Sequence, residues 1–429
     1  MKKIMSIFNP FFVAGLMAVL LFSSCLKDEC DETRVFIEYT PVYVQPEQFR
    51  IPVETQSPRE MIETGKIYFY NDMIFINEKY EGVHIIDNSD PFNPVVTAFM
   101  SIPGNIDVAI QGNLMYADSY VDLLTIDISN INSPEVLSRD EEVFKLYEHH
   151  QNLGYFIYSR ATERKLEVEC ADPNFGDDVF WRGGGIFVLE DAIDVAVPSG
   201  NAGAVSPTGV GGSFARFALR FGHLYVLNNN ELVAYSLSTP ETPVKTETTY
   251  VTWGNIETLF SYKNYLFIGS SNGMYIYDAS EPSTPSYVSE FRHATACDPV
   301  FVKDDIAYVT LRDGTRCESF TNQLDVLDVS NVFNPVLIAS YEMDNPHGLS
   351  VTDDHLYLCE GDFGLKVFET KDLTKIDQNR IEHLSNISAV DAISLSNEHL
   401  LIIGKDGLYQ FDSSDPGDLD EISFISVTK

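Results

Sequence analysis

Short β-branched and aromatic runs bounded by Asn, Gly, Asp and Pro, a unit recurring about every 40–45 residues, and the lack of a long helical period predict an all-β protein. A repeat of that length with several strands in each unit specifies a β-propeller of about eight four-stranded blades, with seven as the alternative count. Composition agrees with a large folded body. The chain has 429 residues, 44% of them hydrophobic and 12% aromatic, which is ample for a core. Its 64 acidic and 28 basic groups leave a formal charge of −36, so nucleic-acid phosphates would be repelled and no nucleic-acid partner is expected. A mean hydropathy of −0.07 leaves room for one short apolar segment and excludes a polytopic membrane protein.

The first element is an export signal. Lys2 and Lys3 precede an apolar run from Ile7 to Phe22, too short and too interrupted by Asn9 and Pro10 to span a bilayer comfortably. Ser23, Ser24 and Cys25 follow, and this ending resembles a bacterial lipobox. The resemblance implies a signal peptide over 1–24, lipidation of Cys25 and loss of Lys2 and Lys3, which takes the charge to −38. Residues 25–60 then read as a lipidated tether and N-terminal extension. Lys27, Asp28 and Glu29 look like the surface-export signal of Bacteroidetes lipoproteins. The expected address is therefore the outer membrane, reached through the lipid anchor and facing the cell surface, with a periplasm-facing protein as the alternative.

The body is the repeat, from residue 61 to 429. One motif reads apolar-x-apolar, Asp, x, Ser and then a Pro-containing turn, centred on Asp87, Asp127, Asp278 and Asp328, with weaker copies at Ser236, Glu369, Asp412 and Glu190. A second apolar strand precedes each copy, centred on Phe75, Tyr116, Phe156, Tyr225, Phe267, Tyr308, Tyr357 and Leu401. Pairing between the ends of the array would close a ring and remove its free edges. The run Leu324 to Asn331, Leu-Asp-Val-Leu-Asp-Val-Ser-Asn, resembles the LVIVD repeat family of bacterial lipoproteins. The resemblance extends over about residues 64–427. It implies a propeller in the cell envelope and no particular catalytic activity.

Asp at a strand end with Ser two residues on fits a turn in which the carboxylate accepts from backbone N–H groups, and Pro then ends the pairing. A calcium ladder would need close Asp/Gly spacing or an EF-hand loop, and neither occurs. No Cys or His pair has ligand spacing, so no metal and no cofactor is expected. Nine or ten residues before each second-strand centre lies one equivalent position per unit. It is occupied by Gly65, Asp107, Leu146 or Tyr147, Arg216, Glu257, Asp298, His347 and Asp391. In a propeller these positions enter the innermost strands. Two uses are open: stitching neighbouring blades together, or a ligand-facing ring at the channel mouth made of Asp107, Arg216, Glu257, Asp298, His347 and Asp391.

An exported chain sits where disulfides form, and Cys297 and Cys317 flank one strand and its turn, so a bridge between them is expected. Cys359 reads as buried and Cys30 and Cys170 have no evident partner; with Cys25 lipidated, the five remaining cysteines leave a free thiol. An insertion at about 161–213 carries a Gly-rich stretch from Gly200 to Gly212 without a phosphate-binding Lys-Ser/Thr. It reads as a surface loop or, alternatively, a specificity loop, where Tyr155, Phe175, Phe180 and Trp181 would suit sugar stacking.

No residue is assigned a catalytic role. These features point to a lipid-anchored, surface-exposed binding or scaffold module for a protein or glycan. A carbohydrate-active hydrolase or lyase using channel-mouth carboxylates is the alternative.

Overall fold

A computed structural model of the protein describes residues 31–145, 147–169, 210–213, 215–253, 256–292, 299–312 and 322–428. The chain divides into two compact units, one of residues 1–42 and 158–190, the other of residues 43–157 and 191–429. The first unit carries most of two strands, Asp31–Val44 and Gly154–Glu169, which are neighbours in a three-stranded sheet. Arg164 Nε donates to Glu38 Oε2 at 2.7 Å across them.

The second unit is a β-propeller. Eight sheets are present among the described residues, as many as the units counted in the sequence. Seven of them contain an antiparallel meander of four consecutive strands, one with an extra strand at each edge, and these are the blades; the eighth is the three-stranded sheet just described. Seven blades, the alternative count, therefore make the ring. Their inner strands, blades 1 to 7, are Thr64–Tyr70, Val108–Gln111, Phe217–Arg220, Ile256–Tyr262, Val300–Lys303, Leu349–Val351 and Asp391–Ser396. The expected unit around Phe156 is not a blade. Ala109, Tyr116 and Leu123 of blade 2 share one apolar cluster with Phe217, Leu224 and Val226 of blade 3, so nothing stands between them.

Each blade is sandwiched between two neighbours, which explains the sequence pattern. Second and third strands are buried on both faces, so Tyr265–Ser270 and Gly273–Asp278 read as continuous apolar runs rather than alternating ones. Outer strands such as Val244–Tyr250 face solvent and turn polar. The core accordingly lies between blades, as a series of apolar clusters around the ring.

The repeated Asp and Ser build the turn into the outer strand. The Ser backbone N–H donates to the Asp carboxylate at 2.9 Å (Ser89 to Asp87), 2.8 Å (Ser129 to Asp127), 2.7 Å (Ser280 to Asp278) and 2.8 Å (Ser330 to Asp328). Counting the Asp position as the first, the carbonyl at the fifth turn position accepts a hydrogen bond from the preceding blade. Tyr116 reaches Pro240 at 3.1 Å, Tyr225 reaches Pro282 at 2.9 Å and Tyr341 reaches Leu373 at 2.6 Å.

The ring closes where its ends meet. Met61 and Val427 form a parallel bridge, and Thr428 N donates to Met61 O at 2.8 Å. Gln410 of blade 7 donates to Asn88 of blade 1 at 2.6 Å, above a cluster joining Ile67, Ile74 and Ile76 to Leu401 and Ile403. The N-terminal extension is more than a tether: Phe49 and Val53 are buried, and Glu54–Gln56 adds an outer strand to blade 1.

Candidate functional site

The inner strands surround a short length of the chain's own backbone. Val210 and Gly211 pair with Phe69 and Tyr68 on the inner edge of blade 1. Ser213 N and Oγ donate to Asp391 Oδ1 of blade 7 at 3.1 and 3.0 Å, and Leu349 N of blade 6 donates to Ser213 Oγ at 2.8 Å. Leu259 N of blade 4 donates to Ala215 O at 2.8 Å, and Arg216 N donates to Asp107 Oδ2 of blade 2 at 2.8 Å. This strap thus touches five blades before it becomes the inner strand of blade 3. The last residues of the expected surface loop, Val210 to Gly212, are in the channel instead. Gly212 permits it, because a Cβ there would collide with Asp391 Oδ2.

Asp107 and Arg216, placed at equivalent positions by the repeat, meet directly. Lys66 Nζ also donates to Asp107 Oδ2 at 2.6 Å, and Arg216 Nη2 donates to Asp118 Oδ2 at 2.7 Å. All four side chains are nearly without solvent contact, so two cations and two anions neutralise each other in a dry site. Burial pulls the Lys66 ammonium down to about 8, with Arg216 adding to it and Asp107 opposing it. Burial also raises the Asp118 carboxyl, against the pull of Arg216 and the N–H groups of Ile106 and Asp107. Asp391 is the odd member. Its Oδ1 takes three donors, from Ser213 N, Ser213 Oγ and Ala392 N, while Oδ2 has no partner among the described residues. Burial pushes it up to about 7, beyond what those donors and Lys66 restore.

His347 belongs to a second cluster. Arg312 Nη1 lies 2.9 Å from Nδ1 and 3.0 Å from Nε2, and Asn345 Nδ2 lies 3.2 Å from Nε2. Glu257 is half-buried in the inner strand of blade 4. Asp298, Cys25, Cys297 and Cys317 fall outside the described residues, as do Cys30, Cys170, Phe175, Phe180 and Trp181. Cys359 is buried and free, its thiol raised by burial. Tyr155 is buried with its hydroxyl on Glu142 Oε1 at 3.1 Å, which leaves no open ring for a sugar. Among the described residues no three His, Cys, Asp or Glu side chains are placed to hold a metal, and no helix is long and apolar enough to cross a membrane.

For the residues the structure places, then, Asp107 and Asp391 accept hydrogen bonds from the chain's own strap, while the Arg216 guanidinium crosses to Asp118 of blade 2. Sequence reasoning missed Lys66, Asp118, Ser213 and Arg312. Lys66 had a signal, since it sits one residue past Gly65, the blade 1 member of the equivalent set.

The fold and its strap define a β-propeller whose channel is occupied by its own chain. LVIVD repeat sequences are found at residues 105–139, 254–292 and 296–343, which correspond to blades 2, 4 and 5. The similar unit at Asp87 is not among the matches. No curated protein matches the chain. Among solved structures it is similar to the computationally designed Ika8 protein, at 8% identity over 87% of this chain and 94% of that one, TM-score 0.49. BamB from Moraxella catarrhalis is 9% identical over 82% and 83%, TM-score 0.47. Sqt1 from Saccharomyces cerevisiae is 8% identical over 86% of both chains, TM-score 0.49. At these scores the fold assignment rests on the strand topology and the LVIVD repeats, and the three likenesses carry no argument of their own.

Proposed function

We propose that the protein is a lipid-anchored, non-enzymatic binding or scaffold module for a protein or glycan, displayed on the outer-membrane surface of a bacterium of the Bacteroidetes type. One observation carries the binding reading: Asp107 and Asp391, two of the repeat's four inward carboxylates, are hydrogen-bonded within the fold, Asp107 to Lys66 and Arg216 and Asp391 through Oδ1 to Ser213. A hydrolase or lyase needs two carboxyl groups free to face a substrate. Having two of the four tied to the strap and its neighbours favours binding at the outer surfaces of the ring over catalysis in the channel. The address rests on the Lys2-Lys3 head, the apolar run to Phe22, Cys25 and the Lys-Asp-Glu that follows.

Two experiments test the two halves. A glycan array and affinity co-purification with the full-length protein are expected to return a ligand without turnover. Oligosaccharide cleavage that disappears in Asp391→Asn or His347→Ala would replace this reading with the enzymatic one. Protease shaving of intact cells is expected to remove the protein, and an untouched protein rules out surface display.

A further inference from the structure

The most informative surface feature is a departure from the repeat between blades 4 and 5. A cavity of about 190 Å³ opens there, lined by Tyr262, Lys263, Tyr265, Asp305, Asn331 and Phe333 among others. The equivalent boundary between blades 3 and 4 is filled by a polar contact: His223 Nε2 lies 2.8 Å from Ser283 Oγ. His223 and Tyr265 hold the same register, each opening the second strand opposite the last residue of the third. Ser283 and Phe333 both stand at the sixth position of their turns. Two aromatic rings that cannot bond to each other thus replace a hydrogen-bonded pair, and space remains between them.

Phe333 is not required by the turn. The equivalent residues of blades 2, 3, 4, 6 and 7 are Asn132, Glu241, Ser283, Thr374 and Gly417; blade 1 also has a Phe, Phe92, 69% exposed, but it is Phe333, 73% exposed, that lines this cavity. A single exposed ring is ordinary by itself; beside a cavity it supplies an apolar wall against which a ligand could pack. The polar groups around it narrow the partner's chemistry. Lys263 Nζ holds Asp305 Oδ1 at 2.5 Å, leaving Oδ2 able to accept; the Tyr265 hydroxyl and the Asn331 amide donate to no described residue. Lys263 lies 5.1 Å from the Tyr262 ring centroid and so occupies the position a ligand cation would take. The formal charge of −36 opposes a polyanion. A neutral polyol with one apolar C–H face satisfies every group. The volume is below the range of roughly 300–1,000 Å³ that encloses a drug-sized ligand, so it admits a single ring.

We propose that this cleft binds one neutral hexopyranose unit of a glycan, its C–H face on Phe333 and its hydroxyls on Asp305, Tyr265 and Asn331. The proposal rests on the binding-module reading and selects glycan over protein as the ligand. The test uses full-length protein and a panel of methyl glucoside, galactoside and mannoside, followed by saturation-transfer NMR. At least one hexoside is expected to receive saturation at its ring protons. Phe333→Ala should weaken its binding about tenfold and Asp305→Asn several-fold, while Phe333→Trp preserves it. Phe92→Ala, at the same turn position of blade 1 and no part of this cavity, should leave it unchanged. Saturation transfer to none of the three hexosides, or binding that survives Phe333→Ala, overturns the proposal. The same variants on a glycan array separate the two levels: glycan capture unaltered by Phe333→Ala leaves the binding module standing and removes this site.

Discussion

Gly212 and Asp391 are a matched pair. The carboxylate can sit against the strap only because residue 212 has no side chain, and the strap can lie there only because Ser213 supplies two donors to Oδ1. Gly212→Ala should destabilise the fold by about 1–3 kcal/mol through overpacking. In an Asp391→Ser background the loss should shrink, because the colliding oxygen is gone; equal losses in both backgrounds in urea titrations would show that the two do not touch. Asp391 also gives a pH signature. Its folded pKa of about 7 lies above the unfolded value, so the native state binds the extra proton between about pH 4 and 7. This group's contribution is therefore most favourable at low pH and declines as pH rises through that window. Lys66, Cys359 and Ser213 are the neighbours that tune it. The buried Asp118 and Glu360 carboxyls are raised and act in the same sense, whereas Asp87, Asp328 and Asp412 are lowered by their turn partners and act oppositely. Subtracting Asp391→Asn from the wild type cancels those others. The wild type should lose up to about 4 kcal/mol relative to the variant between pH 4 and 8, and a flat difference would mean that Asp391 stays ionised throughout.

At the scale of the turn, one device does two jobs. The Asp–Ser contact ends the third strand, and the carbonyl two residues past the Ser becomes a docking point for the preceding blade. Tyr225→Phe deletes the donor and leaves Pro282 O without it, so a loss of about 1 kcal/mol is expected in chemical denaturation, with no change in blade secondary structure. No loss would mean that water replaces the hydroxyl freely. These turns were legible in the sequence because their chemistry is local: an Asx acceptor and its N–H are two residues apart. The unit at Phe156 was misread for the complementary reason. Gly154–Glu169 has the same β-branched and aromatic composition as a blade's second strand, and composition does not record which strands it pairs with. The site divides the same way. Asp107 and Asp391 follow the repeat period and were visible. Ser213 sits in a Gly-rich stretch with no period, and its role depends on Leu349 and Asp391, both more than a hundred residues away.

The ring as a whole makes a claim that a linear array does not. In an open stack each unit meets only its neighbours, so a terminal interface unravels cheaply and separately. Here the boundary between blades 7 and 1 is sealed in the same way as the rest, with Leu401 and Ile403 packed on Ile67, Ile74 and Ile76. The strap reinforces this by joining blades that are not neighbours, including blade 7 through Asp391 and blade 2 through Asp107. Leu401 at the closing boundary and Leu266 between blades 3 and 4 are both fully buried second-strand residues. If the ring is closed, Leu401→Ala and Leu266→Ala should each destabilise by about 2–5 kcal/mol, and both variants should still unfold in one transition. An open array gives a different result: Leu401→Ala would be nearly silent in the main transition and would release blade 7 in an earlier one. Urea melts followed by both tyrosine fluorescence and far-ultraviolet circular dichroism decide between them, because a blade that leaves early separates the two probes.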